Sequence, residues 1–256
     1  MTMHENVNPL GAASFMLGTV KCSTCTIAEL HGEVRRLLLD RSLQPRLILD
    51  VNAHIYNLAT QDPDLARVLN SSRVTMADGM GIVWAARLFG ERISERCNET
   101  EAFRAFLADG SMPASKGIIA GTTDKESEAA AAEIARVSKH LRITRTASGY
   151  LSEEENRRFF REAGDIDFIF LGHSTPITQR VADMAVQERP DAIVWGIGAG
   201  TIKILAGTMQ EAPAFWRRTG LQWLYRLCKE PGNLWKRYLV GNPLFVLRVL
   251  RASLSR

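Results

Sequence analysis

Six short stretches of the chain place Gly, Asn, Asp or a small hydroxyl residue directly after an apolar run. They are Asn52; Asp78-Gly79; Gly121-Thr122-Thr123; Ser148-Gly149-Tyr150; Gly172-His173-Ser174; and Gly196-Ile197-Gly198-Ala199-Gly200-Thr201. Glycine lets a backbone approach a ligand closely, and the N–H groups of such turns can be aimed at phosphate oxygens. Ordinary strand-to-helix turns use the same residue types, so one such stretch alone carries little. Six of them converging on one edge favour a nucleotide or phosphate site. Asp78 adds a carboxylate to that edge. It could take a proton from a hydroxyl or cap a helix beginning near Gly81, and spacing alone favours the cap. His173, a lone histidine, reads as a polar loop residue. The glycines at 196, 198 and 200 come late in the chain with GxGxG spacing, which argues against a dinucleotide fingerprint and a nicotinamide dehydrogenase. Cys22 and Cys25 have CxxC spacing, but no second Cys or His pair accompanies them, so the spacing is read as coincidence.

Residues after strands can meet only if the strands are parallel neighbours. Strands are predicted at 46–51, 73–76, 116–120, 141–145, 167–171 and 192–196, and helices at 53–59, 81–88, 100–108, 125–140, 153–163 and 178–187. This alternation is the pattern of a Rossmann-like α/β fold: a mostly parallel sheet with helices on both faces and right-handed crossovers. Ligands in such folds bind beyond the carboxyl ends of the strands. With 256 residues, 46% of them hydrophobic and 23% charged, the chain can bury a sizeable core. Residues 1–207 are expected to form the α/β domain, with the first fifteen a short lead-in expected to be flexible, and 208–256 a basic amphipathic appendage. No uninterrupted apolar run reaches the roughly 18 residues of a spanning helix. The start of the chain lacks the basic and apolar regions of a secretory signal. A cytoplasmic location is therefore expected.

The net charge of +4 is unevenly placed. From Pro213 onward there are nine basic residues and one acid, Glu230, leaving −4 on the rest of the chain. Trp216, Trp223, Tyr225, Trp235 and Tyr238 are interleaved with these cations, and Pro231 and Pro243 are expected to divide the segment into short helices. Cations flanking a Trp- and Leu-rich face suit a helix lying on an anionic membrane; the alternative is an ordinary helix packed on the core. The body is acidic and no recognition module is evident, so nucleic acid is not expected as a partner.

Two blocks carry a resemblance. One is Val51-Asn52-Ala53-His54, then Ala77-Asp78-Gly79-Met80-Gly81-Ile82-Val83-Trp84-Ala85-Ala86-Arg87 and Glu95-Arg96. The other is Gly220-Leu221-Gln222-Trp223-Leu224-Tyr225-Arg226-Leu227-Cys228-Lys229-Glu230-Pro231, then Leu234-Trp235-Lys236-Arg237-Tyr238. From about Leu47 to Asn242 the chain resembles the bacterial WecG/TagA/CpsF family, glycosyltransferase family 26. The resemblance implies an inverting transfer of a sugar from a UDP-sugar to a lipid-diphosphate-linked sugar, without cofactor or metal, at the inner face of the plasma membrane. It implies Asp78 as general base, and a C-terminal segment that reaches the membrane and covers the site. The leaving diphosphate needs cations or N–H groups, for which Arg96, Arg226, Arg237 and the glycine-bearing turns (Gly79, Gly121, Gly149 with Tyr150, Gly172, Gly198, Gly200) are candidates. Asn52 could bind substrate or shape its turn, and the resemblance favours binding.

The chain departs from the family pattern in several places. Asp50 stands where the family often has Thr. Cys97-Asn98-Glu99-Thr100-Glu101 replaces Gly-x-Asp. Thr178 and Gln179 replace Gln and Glu, with Gln179 kept as a substrate contact. Ile202-Lys203 replaces Phe-Asp, and Glu211 replaces the Arg of Arg-Ala-Pro. These departures motivate an alternative: a non-catalytic, membrane-associated nucleotide-sugar-binding protein of a polysaccharide pathway. The sugar is not specified, and a homo-oligomer is compatible with the sequence.

Overall fold

The structure, a computed structural model, describes residues 13–255. The lead-in expected over 1–15 lies outside the described residues as far as residue 12, whereas Ser14 and Phe15 already belong to a strand. β1 (Ser14–Leu17) and β2 (Val20–Ser23) form an antiparallel hairpin turning at Gly18, whose φ is +60°. α1 (Ile27–Leu39) follows, started by a capping box between Thr26 and Glu29. The α/β alternation then runs β3 (Leu47–Val51), α2 (Ala53–Ala59), α3 (Pro63–Ser71), β4 (Val74–Ala77), α4 (Met80–Leu88), α5 (Glu99–Ala108) and β5 (Ser115–Gly121). It continues α6 (Asp124–Val137), β6 (Leu141–Ala147), α7 (Glu153–Arg161), β7 (Phe168–Gly172), α8 (Ile177–Glu188), β8 (Ile193–Gly196) and α9 (Gly198–Leu205). The chain closes with α10 (Ala214–Arg218), α11 (Gln222–Lys229), α12 (Pro231–Trp235), a π-helical turn at Lys236–Val240, and α13 (Gly241–Leu254).

All six strands predicted from sequence are present, with ends moved by two residues at most. They form one parallel sheet in the order β4-β3-β8-β7-β5-β6. β3, β4, β7 and β8 are buried at every position, as expected of parallel strands covered on both faces. Alternate residues serve opposite faces. Leu49, Val51, Ile169, Leu171 and Val194 join one core cluster, and Ile48, Met76, Phe168, Phe170 and Trp195 join the other. On that second face Phe103 of α5 packs edge-on against Phe170 and Trp195, with ring centroids 5.0 and 5.7 Å apart. Each large side chain so withdrawn from water contributes about 1.5–3 kcal/mol, which fixes α5 against the sheet. Because every strand of this sheet points the same way, the residues after β3, β4, β7 and β8 share one edge, on four adjacent strands.

The C-terminal segment is helical, and Pro231 divides α12 from α11 as expected, but Pro243 makes no division. Pro243 lies inside α13, and α12, the π-turn and α13 follow one another without a gap. The π-turn, closed by the Gly241 N–H donating to Lys236 O, precedes the proline; a widened turn accommodates a ring that would otherwise crowd the carbonyl four residues back. α13 packs on α2, burying Phe245 and Val249 in the core. Phe245 meets Tyr56 edge-on at 5.3 Å. Asn57 Nδ2 donates to Gly241 O at 2.7 Å, and Arg248 donates to Asn57 O at 2.6 Å. Among the described residues, no helix is long and apolar enough to cross a membrane.

Candidate active site

A cavity of about 810 Å³ opens at the shared carboxyl edge. Its walls come from the ends of β3, β4 and β7, the first turns of α4, α5 and α9, and the C-terminal helices. Asp78 follows β4, and its N–H donates to Val51 O at 2.9 Å, which ties it to β3. It does not cap α4: Gly79 occupies the N-cap position with φ +91° and no side-chain cap bond. The Asp78 carboxylate instead accepts a 2.7 Å hydrogen bond from Asn98 Nδ2. Asn98 also caps α5, its Oδ1 accepting from Glu101 N at 3.1 Å. Asn52 repeats this arrangement one strand over. Its Oδ1 accepts from His54 N and Ile55 N at 3.1 Å, starting α2, and its Nδ2 donates to Asp50 Oδ2 at 3.2 Å. Each asparagine thus begins a helix and holds an aspartate beside the cavity.

Burial raises Asp78 above the usual carboxylate range, while the Asn98 hydrogen bond and the charges of Arg96, Arg237 and Arg226 pull it back down. Asp50 is pushed up to about 7 by burial and by the Asp78 charge, with Arg237 opposing. Glu99, the first residue of α5, is raised by burial and by Asp50 and Asp78, again against Arg226 and Arg237. Burial holds His173 near 4; His54 is also held near 4, by burial and then by Arg237. Both imidazoles are therefore neutral at neutral pH.

Arg96 pairs with Glu101 at 2.8 Å. Among the described residues, Arg226 and Arg237 have no carboxylate within ion-pair distance, although both line the cavity. Arg237 lies 5.6 Å from the centre of the Tyr238 ring, and its Nε is buried without a partner. Both ring nitrogens of His173 and Oε1 of Gln179 are likewise buried and unpartnered.

Of the residues singled out from sequence, Asp78, Asn52, Gly79, Arg96, Gln179, Gly198, Gly200, Arg226 and Arg237 line the cavity. Gly121, Gly149, Tyr150 and Gly172 do not. A Cβ on Gly121 would come within 2.4 Å of Gly172 O, one on Gly149 within 2.7 Å of Thr122 N, and one on Gly172 within 1.9 Å of Ile202 Cδ1. These three glycines serve close packing within the protein. Tyr150 is 81% exposed after β6, at the far end of the sheet. His173, expected in a polar loop, is buried in the cavity wall. Asn98 and Glu99 were not singled out as site residues. An Asn three residues before Glu101 is a helix-start signal, but only the tertiary fold brings that helix start to Asp78.

Among the described residues, no group of three or more His, Cys, Asp or Glu side chains is arranged to hold a metal ion. Cys22, Cys25 and Cys97 are buried free thiols. Burial pushes Cys22 up, and the contact with Cys25, then burial, pushes Cys97 up, so neither Cys22 nor Cys97 is poised as a thiolate.

A parallel α/β sheet with a carboxylate-and-arginine cavity at its carboxyl edge defines the class: an α/β protein with a charged cleft beyond the ends of its strands. The family model of the glycosyl transferase WecG/TagA/CpsF family matches residues 15–256, and the chain belongs to that family. It is similar to an N-acetylglucosaminyldiphosphoundecaprenol N-acetyl-beta-D-mannosaminyltransferase of Bacillus subtilis (strain 168), 27% identical over 212 residues covering 82% of this chain and 81% of the relative. It is similar to the enzyme of that name from Staphylococcus aureus (strain MRSA252), 24% identical over 99% of this chain and 97% of the relative. A third such relative, from Bacillus spizizenii, is 26% identical over 80% of this chain and 78% of its own length.

Proposed function

We propose that this glycosyltransferase moves an N-acetylhexosamine, of the N-acetylmannosamine type, from a UDP-sugar to a sugar linked through diphosphate to a polyprenol, with inversion. The observation that carries the reading is the Asp78 carboxylate, held by Asn98 in a cavity that also contains two arginines with no carboxylate partner among the described residues. The acceptor hydroxyl oxygen forms the new bond to the anomeric carbon. Its proton passes to the Asp78 carboxylate. The bond from the anomeric carbon to the diphosphate oxygen breaks with its electron pair, and Arg226 and Arg237 stabilise the charge on the departing UDP.

The cavity's apolar side fits the lipid end of such an acceptor. Trp84 and Leu88 of α4 and Val246 of α13 line it and are 59%, 52% and 53% exposed. Leu239, Val240, Leu250 and Leu254 continue the exposed apolar surface along the C-terminal helices, beside Lys236 and Arg251. This surface suits contact with the anionic inner face of the plasma membrane.

The test is transfer of labelled N-acetylmannosamine from UDP to N-acetylglucosaminyl-diphospho-polyprenol in vesicles, comparing wild type with Asp78→Ala. Transfer by wild type and a loss of about 10³-fold in the variant are expected. Equal transfer by both would remove Asp78 from the mechanism. UDP binding without transfer across a donor panel would support the non-catalytic alternative. Leu250→Glu with Leu254→Glu is expected to abolish flotation with anionic vesicles and to leave the fold intact by circular dichroism.

A further inference from the structure

The cavity contains more carboxyl groups than one general base requires. Asp50 and Glu99 line it together with Asp78, Asp50 from β3 and Glu99 from the first turn of α5. Glu99 adjoins Asn98, the residue that holds Asp78, so its carboxyl and the base are set by the same helix start. Glu99 Oε1 is buried and has no partner. Its carboxyl lies so near the Gly198 backbone that a Cβ on that glycine would fall 2.4 Å from Oε1. His173 and Gln179, 4% and 1% exposed, bring further unpartnered polar atoms to the same cavity. A buried polar atom left without a partner costs free energy, and a hydroxyl-rich ligand can satisfy such atoms.

The charges in the wall decide what kind of ligand this is. The arginines lining the cavity are Arg96, Arg226 and Arg237. Arg96 is engaged by Glu101, and burial keeps the two lining histidines neutral. Two guanidinium groups remain, one for each phosphate of a UDP leaving group. The sugar's anomeric carbon must lie within reach of a hydroxyl that touches Asp78, which sets the ring beside Asp50 and Glu99. A negative charge on that ring would meet the Asp78 carboxylate and, among the described residues lining the cavity, no arginine beyond the two assigned to the diphosphate and the one paired with Glu101. Burial, then the Asp78 charge, raises Asp50, and burial, then the Asp50 and Asp78 charges, raises Glu99, so their protonated forms can donate hydrogen bonds to hydroxyl and amide oxygens as well as accept them.

We propose that Asp50 and Glu99 form a sugar-reading wall that admits an uncharged hexose or N-acetylhexosamine and turns away the corresponding hexuronic acid. This rests on the reading of the cavity as a nucleotide-sugar site. The selection is electrostatic: the ionised Asp78 base, joined by Asp50 as it ionises above about pH 7, disfavours the uronate by like-charge juxtaposition, while the protonated wall carboxyls satisfy, and are satisfied by, neutral sugar groups.

The experiment is calorimetric titration of the full chain at pH 8, where Asp50 is ionised, with UDP, UDP-N-acetylmannosamine and UDP-N-acetylmannosaminuronic acid. The wild type is expected to bind the neutral sugar nucleotide at least about 30-fold more tightly than the uronate. Asp50→Asn combined with Glu99→Gln is expected to narrow that ratio by about 5-fold or more, chiefly by improving uronate binding. Wild-type affinities within about 3-fold of each other, or tighter uronate binding, overturn the proposal. So does a ratio that the double variant leaves unmoved. The wild-type ratio needs no substitution, so a poorly folding variant does not protect the idea. UDP alone separates the two readings: failure to bind it removes the nucleotide site and this proposal together, whereas UDP binding without discrimination removes only this proposal.

Discussion

The two parts of the sheet's carboxyl edge use the same residue types for opposite ends. On β4, β3, β8 and β7 the strands lead into Asp78, Asn52, Gly198 and His173, all lining open volume. Gly121, the last residue of β5, and Gly149, after β6, pack against backbone atoms instead. A glycine after a strand signals close approach in both parts. What approaches, a ligand or a neighbouring chain segment, depends on strand order. Unpartnered buried atoms occur in both parts, in His173, Gln179 and Glu99 on the cavity side and in Thr122 and Asn156 on the packed side, but only the first group lines open volume.

The sharpest way to break the comparison is Asp78→Asn. It keeps the shape and removes the base, so kcat should fall by about 10³-fold with UDP affinity nearly unchanged, read by steady-state kinetics and calorimetry. Gly121→Ala tests the packed part. Its methyl would strike backbone that cannot give way, so stability should fall by about 3 kcal/mol, seen as a melting temperature lower by roughly 9 °C. Asp50→Asn should shift stability with pH. The folded protein keeps a proton on Asp50 up to about pH 7, while the usual aspartate value is 3.8. Wild-type stability contributed by this group is therefore present below about pH 4 and lost as pH rises towards 7. Asp50→Asn should raise the melting temperature more at pH 8 than at pH 5, by roughly 5 °C. The smallest effect is expected at Gly200, where an added Cβ meets nothing within 4 Å. Gly200→Ala should gain up to about 1 kcal/mol of helix stability while weakening UDP-sugar binding, because the new methyl occupies the cavity side.

The strands were legible because fully buried parallel strands are short β-branched and apolar runs, such as Leu47–Val51 and Phe168–Gly172. The hairpin of β1 and β2 was not read, since SFML and VKCS are too short to show alternation. α1 carried a legible capping box at Thr26 and Glu29 that went unused. α9 was hidden by its own glycines, which suggest a loop. Asp78, Arg226 and Arg237 were found through the family blocks, and the cavity contains all three. Glu99 and Asn98 escaped because their role depends on α5 packing its Phe103 against Trp195, a contact between residues far apart in sequence. Tyr150 and the glycines at 121 and 149 were grouped with the site because turn chemistry does not encode which strands are neighbours, whereas Gly172 ends a cavity-side strand but packs against Ile202 of α9.

Asn98 has a single planar amide, with its oxygen on the first turn of α5 and its nitrogen on Asp78. Neither bond can be optimised by rotating the amide without disturbing the other. Linkage then runs in both directions: fraying of that first turn makes the carboxylate more basic, and protonating the carboxylate loosens the turn. The proton affinity of Asp78 and the start of a helix are two readings of one equilibrium.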